Sequence, residues 1–307
     1  MKEPNKTCEP RQPANSSSAN ALREAVDAGR FVTAPGIYDA LGARMAEQHG
    51  FPAVYMSGLA VTASLLGRPD LELLSMAEMV RHAELIVSAV HIPVIADADT
   101  GYGGLANVER TTRAYAQAGV AAIHLEDQAS PKRCGHLGGV RLIDEREMMA
   151  KYELAVQARK GTSLLIIGRT DAFKAAAGGG LDEAIRRAKL IARTGVDLVF
   201  VDGLTQADDF RRVRDEIHGR LLASVVEIDA PAPTKAAELR DMGYAVVIFA
   251  LSGILAASGA LHRLMAGLVR HGDTDGEFQD MMTYTNLNQK LGIQHYHEMW
   301  DRYLTED

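Results

Sequence analysis

Carboxylate side chains end two consecutive apolar segments of this 307-residue chain. Asp97 and Asp99 end the segment PVIADAD, and Glu126 lies near the end of AAIHLED. If the first segment is a strand, alternation puts Asp97 and Asp99 on the same face. Carboxylates held this close repel one another unless a cation or shared protons compensate, and such oxygen ligands suit Mg²⁺ or Mn²⁺. The pattern therefore predicts a Mg²⁺ or Mn²⁺ site; the alternative is helix capping or pairing with Arg169.

The stretch EDQASPKRCGHLGG, residues 126–139, places a cysteine among cations. Lys132, Arg133 and His136 flank Cys134, and nearby positive charge stabilises a thiolate, so this thiol could be an acid or a nucleophile near neutral pH. The glycines that follow favour a mobile loop. One alternative is a solvated loop that happens to contain a cysteine. Another is metal ligation by Cys134 and His136, although no second Cys/His pair stands at ligand spacing.

Groups suited to bind anions also occur at segment ends. Arg169, in IIGRTDAF, carries a planar guanidinium that matches a substrate carboxylate bidentately. Its alternative is an internal salt bridge with Asp171 or Glu126. Ser57 and Gly58, in YMSG, could hold a second anionic oxygen through their amides and the hydroxyl, which is a weaker signal because tight turns use the same residues.

Short apolar runs alternate with segments of helical length, and these elements must position the groups above. Eight such runs begin at Phe31, Ala53, Pro93, Ala121, Leu164, Leu198, Leu221 and Ala245. Strands that alternate with helices indicate parallel βαβ units, so eight runs predict an α/β fold, a (β/α)₈ TIM-type barrel. Active sites of this barrel lie at the carboxyl ends of its strands. A doubly wound open sheet is the alternative, although no G-x-G-x-x-G follows the first run. We interpret His124, inside the fourth run, and His262 as structural.

Composition is typical of a soluble globular enzyme. Hydrophobic residues make up 47% and charged residues 24%, and the net charge of −7 comes without a basic stripe. We therefore expect no nucleic-acid partner. The sequence has no run of about 18 apolar residues, so no membrane span is predicted. Two cysteines far apart, Cys8 and Cys134, favour a reduced cytoplasmic location.

Three regions are expected along the chain. Residues 1–20, rich in Pro, Ser and Asn, are expected to be a flexible segment. Residues 21–270 are expected to form the catalytic barrel, and residues 271–307 a helical extension. The extension holds Trp300, the only tryptophan. We expect it to contact another subunit in a homodimer or homotetramer; packing on its own barrel is the alternative.

Five motifs together resemble those of one enzyme family. They are YMSG, GRPDLELLSMAEM, PVIADADTGYGG, IHLEDQASPKRCGHLGG and IIGRTDAF. Over residues 31–268 the chain resembles the isocitrate lyase / phosphoenolpyruvate mutase superfamily. The K-[KR]-C-G-H pattern indicates its lyase branch, which includes methylisocitrate lyase, 2,3-dimethylmalate lyase and the petal death protein.

The resemblance implies a barrel whose eighth helix swaps between subunits, and a specific metal site. Mg²⁺ would be bound directly by Asp97. Contacts through water would come from Asp99, Glu126 and Asp70.

The resemblance also implies how a substrate is held and cleaved. Ser57 and Gly58 would hold the carboxylate of an α-keto acid together with Arg169. The loop that carries Lys132, Arg133 and His136 would close over the site. Cys134 would protonate the departing carbon, and Tyr55 matches the position suggested for the base.

Two positions depart from the family pattern in the region that binds the second product. Asp202 stands where these lyases usually have Glu, and Ser224 where they usually have Asn, while Glu227 is retained. The pocket for that product is therefore altered, and a third substrate carboxylate could lack its partner. A 2-alkylmalate or 3-alkylmalate substrate is favoured.

The predicted function is Mg²⁺-dependent carbon–carbon cleavage. A 2-hydroxy dicarboxylate or tricarboxylate, such as a substituted malate or a methylisocitrate-like acid, would yield an α-keto acid and a carboxylate. Hydrolysis or decarboxylation of oxaloacetate is an alternative, as is a reaction like that of carboxyphosphonoenolpyruvate mutase. A barrel without catalysis is the remaining alternative.

Overall fold

Eight parallel strands close into a barrel in the computed structural model, which describes residues 16–135 and 139–304. The strands are β1 Val32–Ile37, β2 Val54–Met56, β3 Val94–Asp97, β4 Ala122–Glu126, β5 Leu165–Thr170, β6 Leu198–Val201, β7 Leu221–Val225 and β8 Val246–Phe249. Each strand pairs with its neighbours in chain order, and β1 pairs with β8. All eight coincide with apolar runs in the sequence. The predicted (β/α)₈ TIM-type barrel is confirmed, and the open sheet is wrong.

Each strand is followed by at least one helix. The helices in the described residues are α1 Ser16–Asp27, α2 Ala40–Gln48, α3 Gly58–Leu66, α4 Met76–Ala89, α5 Leu105–Gln117, α6 Glu145–Ala158, α7 Leu181–Ala192, α8 Ala207–Glu216, α9 Ala236–Asp241, α10 Ser252–His271, α11 Tyr284–Leu291 and α12 Ile293–Leu304. Local sequence explains several of their starts. Ser75 and Glu78 form a capping box at α4, and Asp144 caps α6, which satisfies amide groups that have no partner inside the helix.

The interior of the barrel is apolar in its lower layers. Ile95, Ala122, Leu165, Phe200 and Leu222 belong to one buried cluster that fills it. Side chains alternate along a strand, so residues two or four positions further on face the same interior. Those later positions are polar on several strands, which places a polar layer directly above an apolar one.

Helix α1 packs against the interior cluster from the amino-terminal end of the strands. Leu22 and Val26 are 2% and 1% exposed and belong to that cluster. Arg23 donates to the carbonyls of Ser163 and Leu164 at 3.4 and 3.1 Å, and pairs with Asp197 at 3.3 Å. Burying each large apolar side chain contributes about 1.5–3 kcal/mol. Residues 16–20, expected to be flexible, therefore begin a helix; residues 1–15, with Cys8, lie outside the described residues.

Residues 16–135 and 139–255 lie in one compact unit, and residues 256–304 lie in a second. Helix α10 begins in the first unit and continues into the second. No residue of α10, α11 or α12 is buried. Large apolar side chains on these helices are exposed, for example Val269 at 91% and Tyr284 at 83%. By length and composition alone α10 could cross a membrane, which is a weak indication for a single helix.

Candidate active site

Inward-facing polar side chains gather at the carboxyl ends of the strands. The strand register places Asp97 beside His124 and Glu126 beside Arg169. All four are at most 9% exposed. The residues predicted for the site that are buried are Tyr55, Ser57, Gly58, Asp70, Asp97, Asp99, Glu126, Lys132, Arg169, Asp202 and Ser224. Strand alternation therefore accounts for why these polar groups, distant in sequence, share one end of the barrel.

Asp97 is held by two backbone amides. Its carboxylate accepts from Gly58 N–H at 3.2 Å and from Asp99 N–H at 3.0 Å. A Cβ at residue 58 would lie 2.6 Å from Oδ2 of Asp97, so only glycine allows this approach of α3. Burial disfavours the charged form, but the charges of His124 and Lys132 and the Asp99 amide lower the pKa of Asp97 to about 2. Asp97 is thus a carboxylate at neutral pH, as a direct metal ligand must be.

Lys132 links two further carboxylates of the site. Its Nζ lies 2.7 Å from Oδ2 of Asp70 and 2.7 Å from Oδ1 of Asp99. Burial lowers the pKa of Lys132, yet the surrounding carboxylates raise it well above its ordinary value. Burial and the negative charge of Asp97 raise the pKa of Asp99 to about 7 against the opposing effect of Lys132. The φ of Asp99 is +47°, an uncommon backbone state for a residue other than glycine, and such strain clusters at functional sites.

The Glu126 carboxylate has the properties of a cation ligand. It is 1% exposed, and neither carboxylate oxygen has a hydrogen-bond partner among the described residues. Burial raises the pKa of Glu126 well above its ordinary value. Ligand atoms of Asp97, His124 and Glu126 all lie within 4.8 Å of one another. Buried carboxylates are normally hydrogen-bonded or bound to metal, so these residues fit a metal ion.

Carboxyl groups outnumber cations in this site, although burial raises the pKa of Asp99 and of Asp171 to about 7 and that of Glu126 well above its ordinary value. Six carboxyl groups are buried here with two cations, Lys132 and Arg169. The six are Asp70, Asp97, Asp99, Glu126, Asp171 and Asp202. A divalent cation would offset part of this excess, whereas the apolar layer beneath cannot. This balance favours the predicted metal over the alternative that the carboxylates only cap helices or pair with Arg169.

His124 lies inside this site, although the sequence reading made it structural. Its Nε2 is 2.8 Å from the Tyr55 hydroxyl and 3.6 Å from Oδ1 of Asp97. Burial lowers the pKa of His124 to about 4, against the opposing effect of Asp97, and burial raises the pKa of Tyr55 well above 10. Tyr55 is therefore a phenol that is hydrogen-bonded to a neutral imidazole, and the tautomer of His124 decides which of the two donates. The signal was available in the sequence, because His124 stands two positions before Glu126 and so faces the same way.

Arg169 is surrounded by carboxylates. It forms a bidentate pair with Asp171 at 3.0 and 2.7 Å, and its Nη2 donates to Asp202 at 2.8 Å. Its Nε lies 3.3 Å from Glu126, and its guanidinium lies 5.4 Å from the ring centroid of Phe200. The internal salt bridge named as the alternative is thus present. Asp202 stands where the family usually has Glu. By accepting from Nη2 it helps to hold this guanidinium in place.

The cysteine loop lies against the same groups. The Cys134 amide donates to the Asp70 carbonyl at 3.2 Å, and the thiol is partly exposed. A Cβ at Gly135 would lie 2.6 Å from Oδ2 of Asp202, so the loop backbone packs directly on the Arg169 cluster. The Arg133 side chain is exposed, and its guanidinium lies beside Gly139. His136 lies outside the described residues.

The remaining predicted residues occupy the rim of the site. Ser57 caps α3 by accepting from Ala60 N–H at 3.3 Å. Ser224 lies near the carboxyl end of β7 and faces the interior, since it follows Leu222 by two positions. The Glu227 carboxylate accepts from the Ser252 hydroxyl at 2.8 and 3.0 Å.

Glu72 is a site residue that the sequence reading missed. Its carboxylate accepts from the hydroxyls of Thr100 and Ser130 at 2.9 and 2.7 Å, and from the Lys132 amide at 2.9 Å. It thereby ties the loop after β3 and the cysteine loop to the segment after α3. The φ of Glu72 is +59°, so its backbone is strained in the same way as that of Asp99. No local pattern indicates this role, because all three partners are distant in sequence.

Replacing Glu72 by Ala is expected to loosen the cysteine loop. Hydrogen bonds to a charged group contribute about 1.5–3 kcal/mol each, so their loss should raise the alkylation rate of Cys134 about tenfold or more. The rate is measured with iodoacetamide on a Cys8→Ser background, where Cys134 is the only thiol. Glu78→Ala removes a capping carboxylate from the neighbouring helix and serves as the control. Equal rates for both variants would show that Glu72 does not hold the loop.

Comparisons with known proteins agree with this architecture. The family model for phosphoenolpyruvate phosphomutase matches residues 22–269. The chain is 38% identical to the 2,3-dimethylmalate lyase of Eubacterium barkeri, covering 94% of this chain and 99% of that one. It is 37% identical to the 2-methylisocitrate lyase of Aeropyrum pernix, covering 90% and 87%. A solved structure of oxaloacetate acetylhydrolase with 3,3-difluorooxalacetate superposes with a TM-score of 0.86 at 31% identity, covering 96% and 99%. The chain therefore belongs to the phosphoenolpyruvate mutase / isocitrate lyase superfamily.

Proposed function

We propose that this protein is a Mg²⁺-dependent carbon–carbon lyase that cleaves a substituted malate into an α-keto acid and a carboxylate. The observation that carries the proposal is the meeting of the Cys134 loop with the buried carboxylates. Lys132, two residues before the thiol, contacts Asp70 and Asp99 directly. A proton donor and a cation site thus lie within reach of one small substrate. Two lyases of malate-type acids, at 37–38% identity, support the same reaction type.

The residues of the site would have distinct roles in this reaction. Asp97, Asp99 and Glu126 would hold the cation, which as a Lewis acid polarises the substrate oxygens when bound. Hard oxygen ligands with few nitrogen partners favour Mg²⁺ or Mn²⁺. Arg169 and the Ser57–Gly58 amides would orient the carboxylate of the α-keto acid half. Arg169 would do so while it remains paired with Asp171. These contacts place the scissile bond in one orientation.

Proton transfers complete the cycle. Tyr55 would take the substrate's hydroxyl proton as it passes its own to His124, a transfer that the 2.8 Å hydrogen bond allows. The bond between the carbinol carbon and its neighbour then breaks, and the electron pair moves onto the departing carboxylate half. Cys134 would donate its proton to that carbon, while Lys132 offsets the developing negative charge.

A coupled assay tests the proposal directly. Release of α-keto acid is measured with Mg²⁺ over a panel of 2,3-dimethylmalate, citramalate, 2-methylisocitrate, isocitrate and oxaloacetate. We expect turnover of at least one malate, abolished by EDTA and restored by Mg²⁺. Absence of turnover across the panel, at enzyme concentrations high enough to detect slow cleavage, would contradict the lyase.

Hydrolysis of oxaloacetate is the second candidate. The similarity to oxaloacetate acetylhydrolase, with a TM-score of 0.86, favours it. This reaction would yield oxalate and acetate, whereas a decarboxylase would yield carbon dioxide and pyruvate. Oxalate formation without cleavage of any malate would select the hydrolase.

A homo-oligomer in the cytoplasm is part of this proposal, and the exposed helices support the oligomer. Apolar side chains on α10–α12 remain exposed, including Val269, Tyr284 and Tyr303. A second copy would bury them, and this explains the apolar composition of α10 without a membrane. Sedimentation at a multiple of the 33.2 kDa chain is expected, and a purely monomeric protein would contradict it.

A further inference from the structure

A cavity of about 750 Å³ is lined in part by Cys134. Its described lining is mostly apolar: eight of thirteen residues are Leu, Ile, Ala or Pro, among them Leu59, Ile228 and Leu255. The volume is of the order of a site for a small molecule, far more than one methyl group fills.

The charged groups in this lining are mostly acidic. Asp70 is paired with Lys132, and the Glu227 carboxylate accepts from Ser252. Asp229 adds a third carboxylate, and Arg68 is the one cation among the described lining residues. A negatively charged substrate branch would meet three carboxylates here. An apolar branch would instead cover Ile228 and Leu255, each 47% exposed.

We infer that the substrate carries an apolar chain longer than methyl on the carbon that Cys134 protonates. This inference rests on the proposed lyase reaction and names its substrate class: a 3-alkylmalate whose chain lies in the cavity. Cys134 lines the cavity, so a substituent on the carbon that this residue protonates would enter it.

The reaction with such a substrate is balanced without an oxidant or reductant. The hydroxyl proton leaves to the base, and the oxygen's electron pair forms the C=O bond of the α-keto acid. The electron pair of the C2–C3 bond moves to C3 and its carboxyl group. The thiol proton ends on C3, and a proton from water restores the thiol. The products are glyoxylate, or pyruvate if C2 carries a methyl, and a straight-chain carboxylate.

Chain length gives the decisive measurement. The intact enzyme with Mg²⁺ is assayed on 3-methyl-, 3-propyl- and 3-pentylmalate, with 2-alkylmalates of equal size as the reference series. Burial of each methylene should raise kcat/KM about fourfold in the 3-alkyl series. The 2-alkyl series should show no such rise.

Two variants, one at a residue that lines the cavity and one at a residue outside it, provide a further test. Ile228→Asp is expected to remove the rise with chain length. Leu65→Asp, on the α3 helix that also supplies Leu59, lies outside the cavity and should keep it. A flat or falling 3-alkyl series, with 3-methylmalate still cleaved, overturns the inference and leaves the lyase intact.

Binding of the chain can also be measured without turnover. Butanoate and octanoate are titrated into the Mg²⁺-loaded protein by calorimetry, and octanoate should bind at least tenfold more tightly. If no malate is cleaved, tighter octanoate binding that Ile228→Asp abolishes would still support an alkyl site. Equal binding of the two acids together with no cleavage would overturn both the inference and the proposed function.

Discussion

Replacement of Asp97 by Ala is expected to abolish Mg²⁺ binding and, with it, turnover. Loss of a partner that only orients a ligand costs 10–100-fold in metal affinity, so loss of a direct ligand should cost more than about 100-fold. Asp97 is also the carboxylate of this site whose pKa is lowered, to about 2, and it is charged at any pH where the enzyme would work. Calorimetric titration with Mg²⁺ measures the loss.

Two further variants separate metal binding from folding. Asp97→Asn keeps one oxygen, which can accept from the amide of Gly58 or from that of Asp99 but not from both, because these amides donate to different oxygens of Asp97. It should fold with a loss of about 1–3 kcal/mol of stability yet also fail to bind Mg²⁺. Asp208→Ala removes a surface carboxylate whose side chain is 94% exposed and should change neither property. Normal Mg²⁺ affinity in a folded Asp97→Asn enzyme would refute the metal assignment.

Replacement of Cys134 by Ser should leave Mg²⁺ and product binding unchanged while reducing kcat by about 10²–10⁴-fold, the usual contribution of a general acid. Serine is nearly the same size, and the Cys134 amide would still donate to the Asp70 carbonyl. A hydroxyl is a much weaker acid than a thiol, so protonation of the departing carbon should become limiting.

The expected signature is a fall in kcat with KM little changed. Cys8→Ser, which removes the other thiol of the chain, is the matched control and should retain full activity. Near-full activity of Cys134→Ser would eliminate this thiol as the acid. Lys132→Gln would then be the variant to compare, since Lys132 is the buried cation on the same loop.

The barrel itself was predictable because its strands are buried on both faces. Runs such as LLIIGRT and LVFVDG have no polar face, and this pattern is typical of parallel strands covered by helices. The location of the acidic site was also predictable, because active sites of this fold lie at the carboxyl ends of the strands. His124 could have been placed by counting back two residues from Glu126. The same inward face also carries side chains below the last residue of each strand.

Other features depend on contacts that no local pattern carries. Arg169 was predicted to bind substrate with an internal salt bridge as the alternative, and the structure shows that bridge with Asp171 and Asp202. Whether the guanidinium also binds substrate stays a prediction. Glu72 gathers hydroxyls and an amide from residues 28 to 60 positions away. Such partners are set by how the loops fold over the barrel, and a single sequence does not give their positions.

The attachment of α1 has a consequence for the order in which the chain is completed during synthesis. Leu22 and Val26 leave the ribosome before any strand of the barrel, but their partners in the interior cluster come from strands along the whole barrel. Arg23 bonds to Ser163, Leu164 and Asp197, which are synthesised some 140 to 174 residues later. Helix α1, although it precedes every strand of the barrel, is therefore among the last elements to find its place, and until then its apolar face is exposed to other chains. Chaperone dependence of the nascent chain should accordingly persist until β6 has emerged.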